Sequence, residues 1–420
     1  MNIYFIIIIS VIIFNYLLSF VVRTLNIRAL DPKLPDEFSD TFDKDRYLKS
    51  QEYTKVNSKF EYLTSTCSLG VSLVFIFGIP QFGISPIYNS IDQYLRFYGY
   101  NDIFTGLMFF GLLIIITDII NLPFGLYKTF VIEERFGFNK TTYKTYFTDK
   151  IKGYFLFIIL GVPLLSLLLF FFESFTDYAW LLAWILMISF SLIIQPIYNI
   201  FIAPMFNKFT PLEEGELLTK IKDYLRKVDF PVKKLEVMDG SKRSGHSNAY
   251  FSGFGKNKRI ALFDTLMEQM DDDEILAVIA HEVGHYKLKH IHIGIFLSAL
   301  QTGMMLFILS LFINNSELFS VFSMENLSIY ASLIFFSILY TPISMIMGVV
   351  FSLISRKNEF AADEYSAKTA NMPKSLISGL KKMSKENLSN LTPHWLNVFL
   401  NYSHPPVLKR IEALKNYSNK

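Results

Sequence analysis

Cysteine is almost missing from this chain of 420 residues: there is one, Cys67. It can close no intramolecular disulfide and build no cysteine-based zinc site. Among Leu69, Val71 and Leu73 it reads as a small buried apolar side chain. Histidine is scarce as well, at 7 residues. There is no glycine-rich phosphate loop, internal repeat, low-complexity tract or nucleic-acid signature, so no nucleic-acid partner is expected. Neither charge dominates, and the formal net charge is only +3. The N-terminus lacks the basic leader and small-residue cleavage site of a signal peptide, so its apolar run reads as a retained anchor.

What the chain has instead is apolar length. Hydrophobic residues make up 51%, with 42 Phe and 23 Tyr. Seven runs reach spanning length: 3–22, 62–82, 103–122, 153–172, 179–202, 291–313 and 328–354. Gln195 and Pro196, near the end of the fifth, bend it or face a polar interior. The connections alternate in charge. Segment 23–60 carries eight Lys/Arg, 86–102 one and 123–152 six; 173–178 and 314–327 carry none; 203–290 and the tail from 355 are basic. This alternation puts the N-terminus outside and both long polar segments in the cytosol.

The chemistry is concentrated in Ala280-His281-Glu282-Val283-Gly284-His285-Tyr286. Asp271, Asp272 and Asp273 favour a helix start, because carboxylates suit exposed backbone N–H groups and the positive end of the helix dipole. On that helix His281 and His285 are one turn apart on one face, which suits two ligands of a single Zn²⁺. Glu282 is rotated by about 100°, off the metal but near a metal-bound water, as a general base needs. Two histidines require a third ligand. The last two runs form a hairpin that returns the chain to the same membrane side, where Asn358-Glu359-Phe360-Ala361-Ala362-Asp363 follows. Glu359 is the best candidate, and Asp363, one turn on, suits an acceptor for the second N–H of a ligand histidine. Taken alone, both also read as a solvated helix start.

Before the motif, 212–227 shows helical spacing, and Lys234–Met238, Ser247–Gly253 and Arg259–Phe263 read as strands around the turn Gly255–Lys258. The free edge of such a pair could take an extended peptide over the metal, or the sheet could serve only to pack on helices. In the tail, Pro405 and Pro406 fix the backbone after His404 and start a helix bearing Arg410. These two could stabilise an oxyanion, or His404 is a packed or surface residue. His290 and His292 read as headgroup-level residues, and His246 as a residue that serves its loop.

Ser241-Lys242-Arg243-Ser244, His246-Ser247-Asn248-Ala249-Tyr250-Phe251, Arg259 to Leu266, Val131 to Lys140, the zinc motif, Asn358 to Asp363 and Ser403-His404-Pro405-Pro406 together resemble the type I CaaX prenyl proteases. The resemblance covers almost the whole chain. It implies a mostly α, integral-membrane fold class: seven transmembrane helices forming an α-barrel around a large chamber, with a small cytosolic α+β metalloprotease domain. The expected parts are 1–206, five spans with cytosolic loops 23–60 and 123–152; 207–290, the protease region; 291–354, two spans; and 355–420, the tail with the third ligand. The resemblance implies one Zn²⁺ on His281, His285 and Glu359, with Glu282 as base. It also implies Asp363 as the orienting partner, Asn248, His404 and Arg410 near the substrate carbonyls, and Asn248, Ala249, Tyr250 and Phe251 against the substrate.

The activity implied is removal of the last three residues of a prenylated CaaX sequence, with peptides or lipidated proteins and membrane lipids as partners and a monomeric chain. The short 314–327 connection and the overall length point to a bacterial, inner-membrane member; a eukaryotic one would sit in the endoplasmic reticulum. A bacterium need not contain prenylated CaaX proteins, so membrane-protein quality control without a prenyl requirement is the main alternative. The rivals are a heat-shock-type membrane metalloprotease, which has fewer spans; an intramembrane-cleaving protease, which the acidic start at Asp271 to Glu274 opposes; and a non-catalytic transporter or scaffold, which would need no metal.

Overall fold

Helices dominate the computed structural model, which describes residues 2–175, 177–252 and 258–418. Six are long and apolar enough to cross a membrane: Ile3–Arg28, Lys44–Phe77, Asp102–Phe136, Tyr143–Ser174, Ala179–Phe206 and His290–Ser310. Their flanks leave Ile3, Phe14, Ile119, Ile158, Ile193 and Phe201 exposed, as a lipid surrounding allows and water does not. Aromatic side chains fill the space between the helices, with Phe322 stacked on Phe335 at 3.6 Å beside buried Phe109 and Tyr330.

The seventh run, 328–354, is not one straight span. It is a pair of helices, Ile329–Leu339 and Thr341–Ala370, bent by 58°. Pro342 lies in the first turn of the second helix. It has no N–H to donate to the preceding turn, and its ring clashes with that turn, so the ladder stops there. Beyond the bend the helix runs 30 residues without a break. It carries Glu359 and Asp363 past the apolar run on one rigid rod. Pro196 is accommodated differently: the fifth spanning helix continues through it and loosens into a π turn at Tyr198–Ile202.

The polar segment folds into a four-stranded sheet: β1 Phe209–Pro211, β2 Lys234–Met238, β3 Ala249–Ser252 and β4 Arg259–Phe263. The order is β1-β2-β4-β3, with β2 and β4 parallel and the outer pairs antiparallel. β2 and β4 have the bounds expected from the sequence, β3 is shorter, and β1 was not expected. Gly253 and residues 255–257 of the expected turn lie outside the described residues. The expected helix 212–227 begins later, at Glu216, because the chain is still pairing as β1 at Pro211 and Gly215 precedes the first turn. Ile260 and Leu262 of β4 pack on Ile221 of that helix and on Ile275 and Ile279 of the helix Asp272–Lys287. β3 therefore stands at the sheet edge next to the helix that carries the histidines.

Candidate active site

Asp271 caps the helix Asp272–Lys287, accepting from the N–H groups of Asp273 and Glu274, while the Glu274 carboxylate accepts from the Asp271 N–H at 3.0 Å. Such a capping box is worth about 1 kcal/mol. Glu274 is 2% exposed, and Ser378 and Lys382 each donate to it at 2.6 Å. The helix is tied along its side as well. Ser366 donates to the Ala277 carbonyl at 2.8 Å. Gly284 lies so close to the rod Thr341–Ala370 that a Cβ there would stand 3.1 Å from the Tyr365 ring and 3.3 Å from the Ala362 Cα. A side chain at 284 would push the two helices apart.

That contact brings Glu359 to the histidines. The Nε2 atoms of His281 and His285 are 3.0 Å apart. Glu359 Oε1 is 3.1 Å from His285 Nε2, and Oε2 is 3.5 Å from His281 Nε2. An ion bonded tetrahedrally at about 2.0–2.1 Å needs ligand atoms about 3.3–3.4 Å apart, so these three donors could hold one. Glu359 Oε2 is buried, and no hydrogen bond of acceptable alignment reaches it among the described residues. Its lone pair is therefore available, although His404 Nδ1 and Arg410 Nη1 stand 3.0 and 3.1 Å away.

The two histidine rings are oriented from behind. Asp363 Oδ1 lies 2.9 Å from His281 Nδ1, which leaves Nε2 free to coordinate. Arg410 grips the same carboxylate with two hydrogen bonds, Nε to Oδ2 at 2.8 Å and Nη2 to Oδ1 at 2.6 Å. Burial opposes the Asp363 charge, but Arg410 and His281 outweigh it and hold the carboxyl below its ordinary value. Arg410 is itself buried, with its fork engaged on Asp363. His290, expected at headgroup level, instead places its Nδ1 3.0 Å from His285 Nδ1 and can accept its N–H. No spacing in the sequence signals this, because the pair forms only where the chain turns through Lys289, whose φ is +61°.

Glu282 is half-buried and lines a cavity of about 610 Å³ together with His281, His285, Glu359, His404, Asn248 and Ala249. Burial pushes its carboxyl above the ordinary value, against the opposing pull of His281 and His285. His404 is mostly exposed at the cavity wall. Asn248 is exposed too, and its backbone carbonyl accepts from the Phe263 N–H at 3.1 Å. Tyr250 and Phe251 follow on β3, paired with Ala261 and Ile260.

The lead-in to β3 is held by a residue that sequence reasoning missed. The Asn387 side chain accepts from the Ser247 N–H at 3.1 Å and donates to the Ser247 carbonyl at 3.4 Å, as a neighbouring strand would. His246 lies against Asn387 at 3.2 Å and stacks on Phe138 at 3.9 Å. It thus serves its loop as expected and ties it to the segment Glu133 to Lys140. A second cavity, about 710 Å³, has several asparagines in its lining, among them Asn15, Asn26 and Asn57. It shares Asn387, Ser389, Asn390 and Tyr402 with the first.

A family model described as the CAAX prenyl protease N-terminal, five membrane helices, matches residues 23–208, and peptidase family M48 matches 211–418. The chain is 36% identical to the CAAX prenyl protease 1 homolog of Arabidopsis thaliana, over 93% of this chain and 92% of that protein. It is also 36% identical to CAAX prenyl protease 1 of Saccharomyces cerevisiae, over 93% of this chain and 90% of the relative. The crystal structure of S. mikatae Ste24p matches it with a TM-score of 0.90 at 32% identity, covering 98% of this chain and 99% of that one.

Proposed function

This chain belongs to the CAAX prenyl protease family of M48 peptidases, and we propose that it removes the last three residues of prenylated CaaX peptides at the centre formed by His281, His285 and Glu359. It is a membrane CaaX protease. The family implies a metal, and two imidazole nitrogens with one carboxylate oxygen are a donor set that zinc favours. When bound, zinc supplies a Lewis acid that lowers the pKa of water and polarises a carbonyl.

The residues divide the remaining work. Glu282 accepts the proton of the attacking water on its carboxylate and returns it to the leaving amide nitrogen. The substrate lies along the edge of β3 as an added antiparallel or parallel strand, so that Asn248, Ala249, Tyr250 and Phe251 offer backbone hydrogen bonds to it. His404, exposed at the cavity wall, donates to the developing oxyanion. Arg410 acts through Asp363: it fixes the carboxylate that orients His281. The two adjoining cavities form one chamber, closed by seven crossings with the bent pair counted as one. The alternation of basic segments supports an N-terminus outside and the catalytic side in the cytosol. The change of matching family model between residues 208 and 211 supports the boundary after 206.

The observation that carries this reading is the convergence of three metal-binding atoms beside Glu282, in a cavity bordered by an edge strand. The test is cleavage by purified metal-loaded protein of two matched peptides, one farnesylated at the CaaX cysteine and one not. Only the farnesylated peptide should be cut. Glu282→Gln should keep its metal and lose activity by about 10²–10⁴-fold. A fully active Glu282→Gln would sink the mechanism, and equal cleavage of both peptides would replace the prenyl substrate with a general one.

A further inference from the structure

The end of the fifth spanning helix and the start of the sheet enclose a cleft of about 700 Å³ that no step of the proposed reaction uses. Its helical wall mixes apolar Leu192, Pro196 and Ile200 with the amides Gln195 and Asn199. Leu192 and Ile200 are 47% and 63% exposed, as lipid-facing residues are. The other wall is basic. Lys208, Lys233, Lys234, Lys258 and Arg259 line it; Glu236, in the same lining, pairs with Arg259 Nε at 2.5 Å and lies 3.6 Å from Lys234 Nζ, so the described lining keeps an excess of cations. The spanning helix ends at Phe206 and β1 begins at Phe209, so this wall lies where the chain leaves the apolar layer, at headgroup depth.

Two of the cations are built into the protein. Arg259 is 7% exposed, lies 3.6 Å over the Phe209 ring and donates from Nη1 to the Asn199 carbonyl at 3.1 Å. Lys258 is 5% exposed, with its ammonium 4.2 Å from the ring centres of both Phe230 and Tyr286. Arg259 is also paired with Glu236, whereas the Lys258 ammonium, held on two rings, keeps its charge beside the cleft instead of swinging into solvent. Asn199 also lines the cleft, on the π turn after Pro196, and its buried Oδ1 has no hydrogen-bond partner among the described residues. The cleft thus offers excess positive charge, an acceptor in need of a donor and an apolar flank open to lipid. A small soluble anion would make no use of Leu192 and Ile200. A zwitterionic headgroup would bring a cation to a wall that already has too many.

We propose that this cleft binds an anionic phospholipid whose headgroup carries a hydrogen-bond donor, as phosphatidylglycerol does. The phosphate faces Lys208 and Lys234, the headgroup hydroxyl faces Asn199, and an acyl chain runs along Leu192 and Ile200. The test is native mass spectrometry of the full chain, delipidated in detergent and offered dioleoyl phosphatidylglycerol and dioleoyl phosphatidylcholine together. Phosphatidylglycerol should be retained in preference. Lys208→Gln with Lys234→Gln should weaken its binding by roughly tenfold or more, given about 1 kcal/mol per basic residue near an anionic surface. Ile200→Ser should weaken it less, and Lys409→Gln with Lys415→Gln, on the remote C-terminal helix, should not.

A metal content equal to that of the parent shows each variant to be folded, and Lys208→Gln alone is the milder variant should the pair fold poorly. Equal retention of the two lipids, an unaffected lysine pair, or displacement of the lipid by excess inorganic phosphate would each overturn the proposal.

Discussion

The motif helix and strand β3 border one cavity and are held in opposite ways. The helix is fixed at its start by Asp271 and Glu274, along its side by Gly284 against Tyr365, and at its reacting face by Asp363 and Arg410. Among the described residues β3 is paired on its β4 side only, and its lead-in is held by side chains: Asn387 and Gln269 on Ser247, and Thr265 on the His246 carbonyl. The difference follows the two tasks. Reacting groups must be held to a fraction of an ångström, whereas a strand that takes up and releases a chain needs an unpaired edge.

The comparison can be broken from the helix side first. Glu282→Gln should have the largest effect, through chemistry alone, with metal content and thermal stability kept. Asp363→Ala strikes the support behind the proposed metal: His281 loses its acceptor, and buried Arg410 keeps only the Glu359 carboxylate at 3.1 Å. Metal affinity should fall about 10–100-fold, read by chelator competition, and stability should fall by about 3–5 kcal/mol, read by thermal unfolding. Gly284→Ala drives a methyl group into Tyr365 and Ala362 and should cost about 1–3 kcal/mol. Gly294→Ala, where a Cβ meets nothing within 4 Å, should cost nothing, and it separates packing from helix propensity.

From the strand side, Asn387→Ala should lower kcat/KM by about tenfold, mainly through KM, because it loosens the substrate edge and leaves the metal alone. A fall in kcat with unchanged KM would mean that Asn387 serves the chemistry instead. The smallest loss among these variants, the Gly294→Ala control aside, belongs to Asp271→Ala, which removes the helix cap for about 1 kcal/mol of thermal stability without changing KM.

The sequence made some of this legible and not the rest, for physical reasons. His281, His285 and Glu282 could be assigned to faces because a helix has one period. Glu359 could be brought to them because two apolar runs imply a return to the same side. The bend before Pro342 was hidden, since an apolar run looks the same whether its helix is straight or broken. β1 was hidden because three residues ending in proline carry no strand pattern. His290 and Asn387 act through partners set by tertiary contact, so neither has a spacing to betray it. The grip of Arg410 on Asp363 was invisible for the same reason, and only its neighbourhood to His404 could be read.

The rod that carries Glu359 also sets a schedule for biosynthesis. His285 leaves the ribosome 74 residues ahead of Glu359. At about 5–20 residues per second that is a delay of roughly 4–15 s, during which two further segments must enter the membrane. On the proposed mechanism, until they do the nascent chain has His281, His285 and Glu282 but not Glu359, and Asp363 and Arg410 are later still. Proteolytic competence is thus conferred by the last membrane hairpin, and a half-made molecule beside other nascent chains should be inert. Chains released after residue 354 should capture no metal at concentrations that fill the complete protein.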